Sequence, residues 1–346
     1  MNIYIIQYFL LGLHTFLSRG FRAKGKKRLY LIGCVELLLL VILRSPTDAN
    51  WPDSIRYLDR FTYFNSHVAW SDILETGWEP GIVILSKIIG ILGYGEQLYI
   101  IVLGVFILIP IFMMIWKYSE YPCLSLLIFY AMDNLITTSI YRQWCAIAIL
   151  TFAIKYVYQK RILPFSLLVL VAFLFHRTAI IFIIVYFIRN IKINFNKMII
   201  LLFCSGGIFL FGSRVLSFLN RFARIEQGIS TNGGTSFLIV LWGVVFLSYF
   251  LLKKQFDNLN LRLPFNIVLL AAVLQPLSFT FSLWYRVVLY FSLFTVILIP
   301  SAMGVLRINN ENNKNIIILV EIILVIIMFG WFCVGGIPQY VPLWAK

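Results

Sequence analysis

Residues 98–116 read "LYIIVLGVFILIPIFMMIW". Nineteen residues pass without a single Asp, Glu, Lys or Arg. A hydrocarbon core of about 30 Å takes roughly 17–25 apolar residues to cross as a helix. The run shows no two-residue alternation, so it is not a barrel strand, and only a helix satisfies its own backbone in lipid. This stretch predicts a membrane-spanning helix, and the rest of the chain follows the same pattern.

The 346 residues are 61% hydrophobic and 12% charged, with mean hydropathy +0.91. A soluble domain carries about 25% charged residues. The composition predicts an all-α polytopic membrane protein forming one integral membrane domain over 1–346. Candidate spans are 3–18, 29–44, 98–116, 122–140, 143–158, 162–175, 178–190, 198–212, 235–252, 264–281, 284–303 and 316–335. The first of them lacks a basic n-region and an A-x-A site, so it reads as a retained helix and not a cleaved signal. No internal repeat, low-complexity tract or soluble domain stands out.

The net charge is +15, but the cations sit mostly in short loops between apolar runs. That placement sets membrane orientation and attracts anionic headgroups, and it excludes nucleic acid as the partner. The five cysteines, Cys34, Cys123, Cys145, Cys204 and Cys333, lie inside apolar runs with no disulfide or metal spacing.

Orientation follows from the loops. "SRGFRAKGKKR" (18–28) carries six cations and is cytoplasmic by the positive-inside rule, which places 45–79 outside. The loops "QKR" (159–161), "RNIKINFNK" (189–197) and "KKQFDNLNLR" (253–262) are also assigned inside. The apolar piece 80–93 has 14 residues, the length of a re-entrant or interfacial segment. Read so, it puts seventeen of the 29 Lys and Arg inside and gives twelve spans with both termini outside.

Several cations then gather at the outer rim. "AFLFHRTA" (172–179) brings His176 and Arg177 to the junction of two spans. Arg142 and Gln143 open another span in "SIYRQWCAIAIL", Arg286 lies in an outer turn in "FSLWYRVVLYF", and Arg44 ends the second span. One arginine at a helix end usually snorkels to headgroups. Several on the face that topology keeps poor in positive charge point to an anionic ligand.

The largest outer loop, 45–79, predicts a helix near 52–64. Pro52 suits a first helical position, and Asp53 favours the positive helix end. Asp53, Tyr57 and Arg60 or Phe61 fall along one face, with Arg56 beside them. This is either an amphipathic cover helix or the wall of a sugar groove. Glu79, just before Pro80, either caps a helix or acts as a base at a cavity mouth. Glu36 and Glu321 lie within spans, where carboxylates are costly, and they are the features that favour transport. "GISTNGGTSF" (228–237) predicts an outer loop and lacks the GK[ST] ending of a phosphate-binding loop.

Taken in order, "LRSPTDANWPDSIRYLDRF" (43–61), "EPG" (79–81), "YRQWCAIAI" (141–149), "FLFHRTAIIF" (173–182), "YRVVLYF" (285–291) and "IPQYVPLW" (337–344) resemble the EpsG-like family of Wzy-type polysaccharide polymerases. Its D-x-x-x-Y-x-x-x-F pattern matches Asp53, Tyr57 and Phe61. Its E-P-G matches Glu79, Pro80 and Gly81, its R-Q matches Arg142 and Gln143, and its helix-end histidine matches His176. The family usually places a small or hydroxyl residue directly after that histidine; here Arg177 intervenes before Thr178.

The resemblance implies transfer of a growing glycan from undecaprenyl pyrophosphate to the non-reducing end of a new lipid-linked repeat unit, such as an O-antigen unit, at the periplasmic face of the bacterial inner membrane. It implies no nucleotide sugar, metal or other cofactor, and a chain-length regulator protein and membrane lipids as further partners. On this expectation Arg142, Arg177 and Arg286 grip the pyrophosphate. His176 and Glu79 compete for the role of base, and Asp53 and Tyr57 position the acceptor sugar. The competing readings are a lipid-linked oligosaccharide flippase, another membrane glycosyltransferase or ligase using Asp48, Asp53 and Asp59 with a metal, and a membrane O-acetyltransferase.

Overall fold

The computed structural model describes residues 2–46, 48, 52–93, 95–219, 234–281, 284–309, 314–334 and 336–344. Most of the loop expected over 228–237 lies outside these residues. Among them the structure is helical, with one isolated antiparallel bridge between Arg44 and Pro342 and no strand. The chain divides into two compact units, residues 1–180 with 310–346, and residues 181–309.

The first unit holds α1 (Ile3–Leu17), α2 (Ala23–Ile42), α3 (Pro52–His67), α4 (Pro80–Leu92), α5 (Glu96–Tyr118), α6 (Pro122–Phe129), α7 (Leu135–Thr137), α8 (Tyr141–Tyr158) and α9 (Ile162–Phe175). The second holds α10 (Ile184–Ile188), α11 (Phe195–Leu219), α12 (Gly234–Leu252), α13 (Leu259–Leu274), α14 (Trp284–Ser292) and α15 (Thr295–Asn309). The last helix, α16 (Lys314–Val334), belongs to the first unit.

Five helical stretches among the described residues are long and apolar enough to cross a membrane: Glu96–Tyr118, Phe195–Gly212, Gly234–Gln255, Leu259–Phe279 and Trp284–Leu306. Among the described residues the other helices do not meet both length and hydropathy for a full span, so twelve spans are not shown. The expected loop helix forms and runs on to His67. The 13 residues of α4 rise about 20 Å, less than the hydrocarbon core, which fits a segment that does not cross.

Several expected spans differ. The stretch 122–140 breaks at Phe129 into a π-helical turn, Tyr130–Asn134, before α7. The polar pair Asp133 and Asn134 falls in that turn, and both are buried. The stretch 178–190 is not a regular span: a 3-10 turn, Arg177–Ile183, leads into only five residues of α10. Helix α2 begins at Ala23, so much of the basic loop 18–28 is helical.

Why α4 and α9 meet is written in Gly81. A Cβ there would lie 2.7 Å from the Leu174 carbonyl oxygen and 2.8 Å from the Phe175 ring. Only a glycine lets the start of α4 lie directly on the end of α9. Upstream, Gly77 adopts φ 71 after the 3-10 turn Trp70–Thr76 and re-aims the chain. Together the two glycines set the position of Trp78 and Glu79, and the extended His176 closes α9 beside them.

Candidate active site

Two segments of the first unit converge on Glu79. Arg142 Nη1 donates to Glu79 Oε2 at 2.5 Å, and His176 Nδ1 lies 3.4 Å from Glu79 Oε1. The carboxylate is thus shared between a guanidinium from the first turn of α8 and an imidazole at the end of α9. Its side chain makes no capping bond to its own helix, so the capping alternative does not hold. Arg142 stands where the helix dipole is positive, an unfavourable end for a cation, and Glu79 offsets that.

The side chain of Glu79 is 8% exposed. Burial works to raise its carboxyl, but the His176 contact and the Arg142 charge outweigh it and hold the group at about 2. Glu79 is therefore ionised at neutral pH and a poor proton acceptor. Arg142 Nε also donates to Tyr57 Oη at 3.2 Å, and its guanidinium lies 4.4 Å from the centre of the Trp78 ring. Burial pushes the Tyr57 hydroxyl up, with Arg142 working the other way. Asp53 lies one turn before Tyr57 on α3 and is half-buried.

A second polar layer lies beneath. Arg44 is buried, and its Nη2 donates to Ser54 Oγ at 2.9 Å and Tyr141 Oη at 3.0 Å. It also donates to the Thr138 carbonyl at 3.4 Å. Tyr141 meets Tyr57 edge to face at 5.3 Å, which links this layer to Arg142. The C-terminal stretch 337–344 anchors it: Ser45 N donates to Val341 O and Leu343 N to Leu43 O, each at 2.8 Å. Sequence reasoning put Arg44 at the rim but did not find Ser54, Tyr141 or Trp78. The signal available was a hydroxyl or an indole beside a candidate cation.

Of the expected residues, Glu79, His176, Arg142 and Tyr57 come together. Arg177 follows His176 directly and is exposed. Arg286 opens α14 in the second unit. Asp48 is buried, Asp59 is exposed, and among the described residues no group of three or more His, Cys, Asp or Glu gathers. Both intramembrane acids are paired: Glu36 with Gln7 at 2.8 Å and His14 at 3.7 Å, and Glu321 with Arg19.

The fold and this cluster define a polytopic helical membrane protein in which a buried carboxylate is met by an imidazole and a guanidinium at the ends of its helices. The EpsG family model matches residues 27–343, nearly the whole chain, and the chain belongs to that family. Membership carries a membrane polysaccharide polymerase-like role in polysaccharide biosynthesis. No curated protein and no solved structure matches the chain significantly.

Proposed function

We propose that the protein polymerises lipid-linked oligosaccharides. It transfers a growing glycan from undecaprenyl pyrophosphate to the non-reducing end of a new lipid-linked repeat unit, at the periplasmic face of the inner membrane. The observation that carries this reading is the convergence of Glu79, His176 and Arg142 from three separate segments.

In the reaction, a hydroxyl of the acceptor sugar attacks the anomeric carbon of the donor. The new C–O bond forms as the bond to pyrophosphate breaks, and the pyrophosphate leaves with the electron pair. The proton goes to a base. Glu79, held at about 2, is too acidic for that work, since a base is most effective with a pKa near the working pH. His176 is the base in this proposal. Its Nδ1 faces Glu79, which leaves Nε2 for the proton, and Glu79 fixes the ring and stabilises the imidazolium. Arg142 locks Glu79 and places positive charge beside the leaving group. Arg177 enters as a further cation for the pyrophosphate, and Asp53 and Tyr57 as contacts to the acceptor sugar. A chain-length regulator is a proposed partner.

Purified protein in proteoliposomes, supplied with lipid-linked repeat units, tests this. The expected products are a ladder of polymer and free undecaprenyl pyrophosphate, with His176→Ala giving neither. Movement of intact repeat units across the bilayer without polymer would point to a flippase and overturn the proposal.

A further inference from the structure

Trp78 draws more than one cation. Besides Arg142 at 4.4 Å, the guanidinium carbons of Arg60 and Arg56 lie 5.8 Å and 6.0 Å from the centre of its ring. Arg56 and Arg60 stand one turn apart on α3, so they share a face. Trp78 is itself wedged edge-on against Tyr57 at 5.6 Å and Phe64 at 5.7 Å. Three guanidinium groups thus ring one braced indole.

The charges are unequally compensated. Arg142 is matched by Glu79. Among the described residues, no carboxylate lies within ion-pairing distance of Arg56 or Arg60. A ring quadrupole attracts a nearby guanidinium, but one neutral indole does not cancel two further positive charges. A cation–π contact also leaves the N–H groups of a guanidinium available, and those groups pair with phosphate oxygens in a bidentate way. Arg56 is exposed and Arg60 half-buried, so an anion can reach both. Trp78 is the residue directly before Glu79. The patch therefore borders the proposed reaction centre, as a leaving group must.

We propose that Arg56 and Arg60, with Trp78 as their shared wall and Arg142 at its inner edge, bind the diphosphate of the lipid-linked substrate. The identity of the substrate rests on the polymerase reading; the anion site rests on the geometry alone. The same phosphate chemistry occurs in anionic phospholipid headgroups, so the test separates the two sources.

The full chain is placed in nanodiscs of neutral phosphatidylcholine and titrated with farnesyl diphosphate. Arg56→Gln/Arg60→Gln, which removes both charges and leaves polar side chains, is expected to weaken binding by about tenfold or more, because two charge-assisted contacts are lost. Arg56→Lys/Arg60→Lys is expected to recover only part of it. Equal thermal unfolding of the variants confirms that the fold is kept. Unchanged affinity in the Gln pair would overturn the site. So would full displacement of farnesyl diphosphate by a small fraction of phosphatidylglycerol in the discs, which would mark a headgroup site. Failure of wild-type polymerisation, with binding still lost in the Gln pair, would sink the polymerase reading and support this site. Polymer ladders from the wild type with unchanged binding in the Gln pair would do the reverse.

Discussion

Replacing Glu79 with glutamine removes a charge but keeps the shape. The carboxyl sits at about 2 against an ordinary 4.5. At ~1.4 kcal/mol per pKa unit, this corresponds to stabilisation on the order of 3 kcal/mol at neutral pH. The Glu79 and Arg142 side chains are 8% and 25% exposed, so solvent screens the pair only modestly. The folded carboxyl is the more acidic one, so its contribution is complete above 4.5 and is lost as pH falls through about 2. Reversible unfolding in mixed detergent micelles should show Glu79→Gln less stable than wild type by about 3 kcal/mol at pH 7. The gap should narrow steadily below pH 4.5. A double-mutant cycle with Arg142→Gln should return a coupling above about 1 kcal/mol, since the residues touch. A gap that does not change with pH, or additive variants, would refute the shared-carboxylate reasoning.

Other outcomes follow from the same geometry. Gly81→Ala should cost about 1–3 kcal/mol, because the backbone it meets cannot move aside as a side chain would, and glycan product should fall with it. Arg142→Lys should be nearly as damaging to polymer yield as Arg142→Ala, because an ammonium cannot serve Glu79, Tyr57 and Trp78 together. A chelator should leave purified activity intact; complete loss restored by magnesium would shift the chemistry to Asp48, Asp53 and Asp59. In a cysteine-free background, a membrane-impermeant thiol reagent should reach a cysteine at position 65 from outside but not one at 258, and the opposite result would invert the topology.

The helical, membrane-embedded class was legible because burial in lipid is a property of composition and run length. Helix ends were less legible. Nothing in the apolar run 122–140 says that the ladder slips at Phe129, because a π turn depends on what packs against it. The stretch 178–190 has the composition of a span, yet its first residues form a 3-10 turn. At the site, loop charges lead to the expectation that Arg142 and His176 share a depth at the outer rim, but such an expectation says nothing of azimuth. That Glu79 would reach both depends on Gly81 lying against α9, a contact between residues more than ninety positions apart. Arg56 and Arg60 looked like a solvated helix face, and only the fold brings Trp78 under them. Glu36 and Glu321 favour transport on sequence alone; in the fold Glu36 pairs with Gln7, and Glu321 with Arg19 of the basic loop.

The most direct measurement is the surface polysaccharide of cells lacking this gene and carrying it back as wild type, His176→Ala or Arg142→Ala. Polymerisation at the Glu79 centre predicts that the deletion leaves single repeat units attached to their acceptor with no long chains. The wild-type copy should restore the ladder, and the two variants, at equal protein level, should not. Loss of all repeat units in the deletion, or a full ladder from either variant, would contradict it.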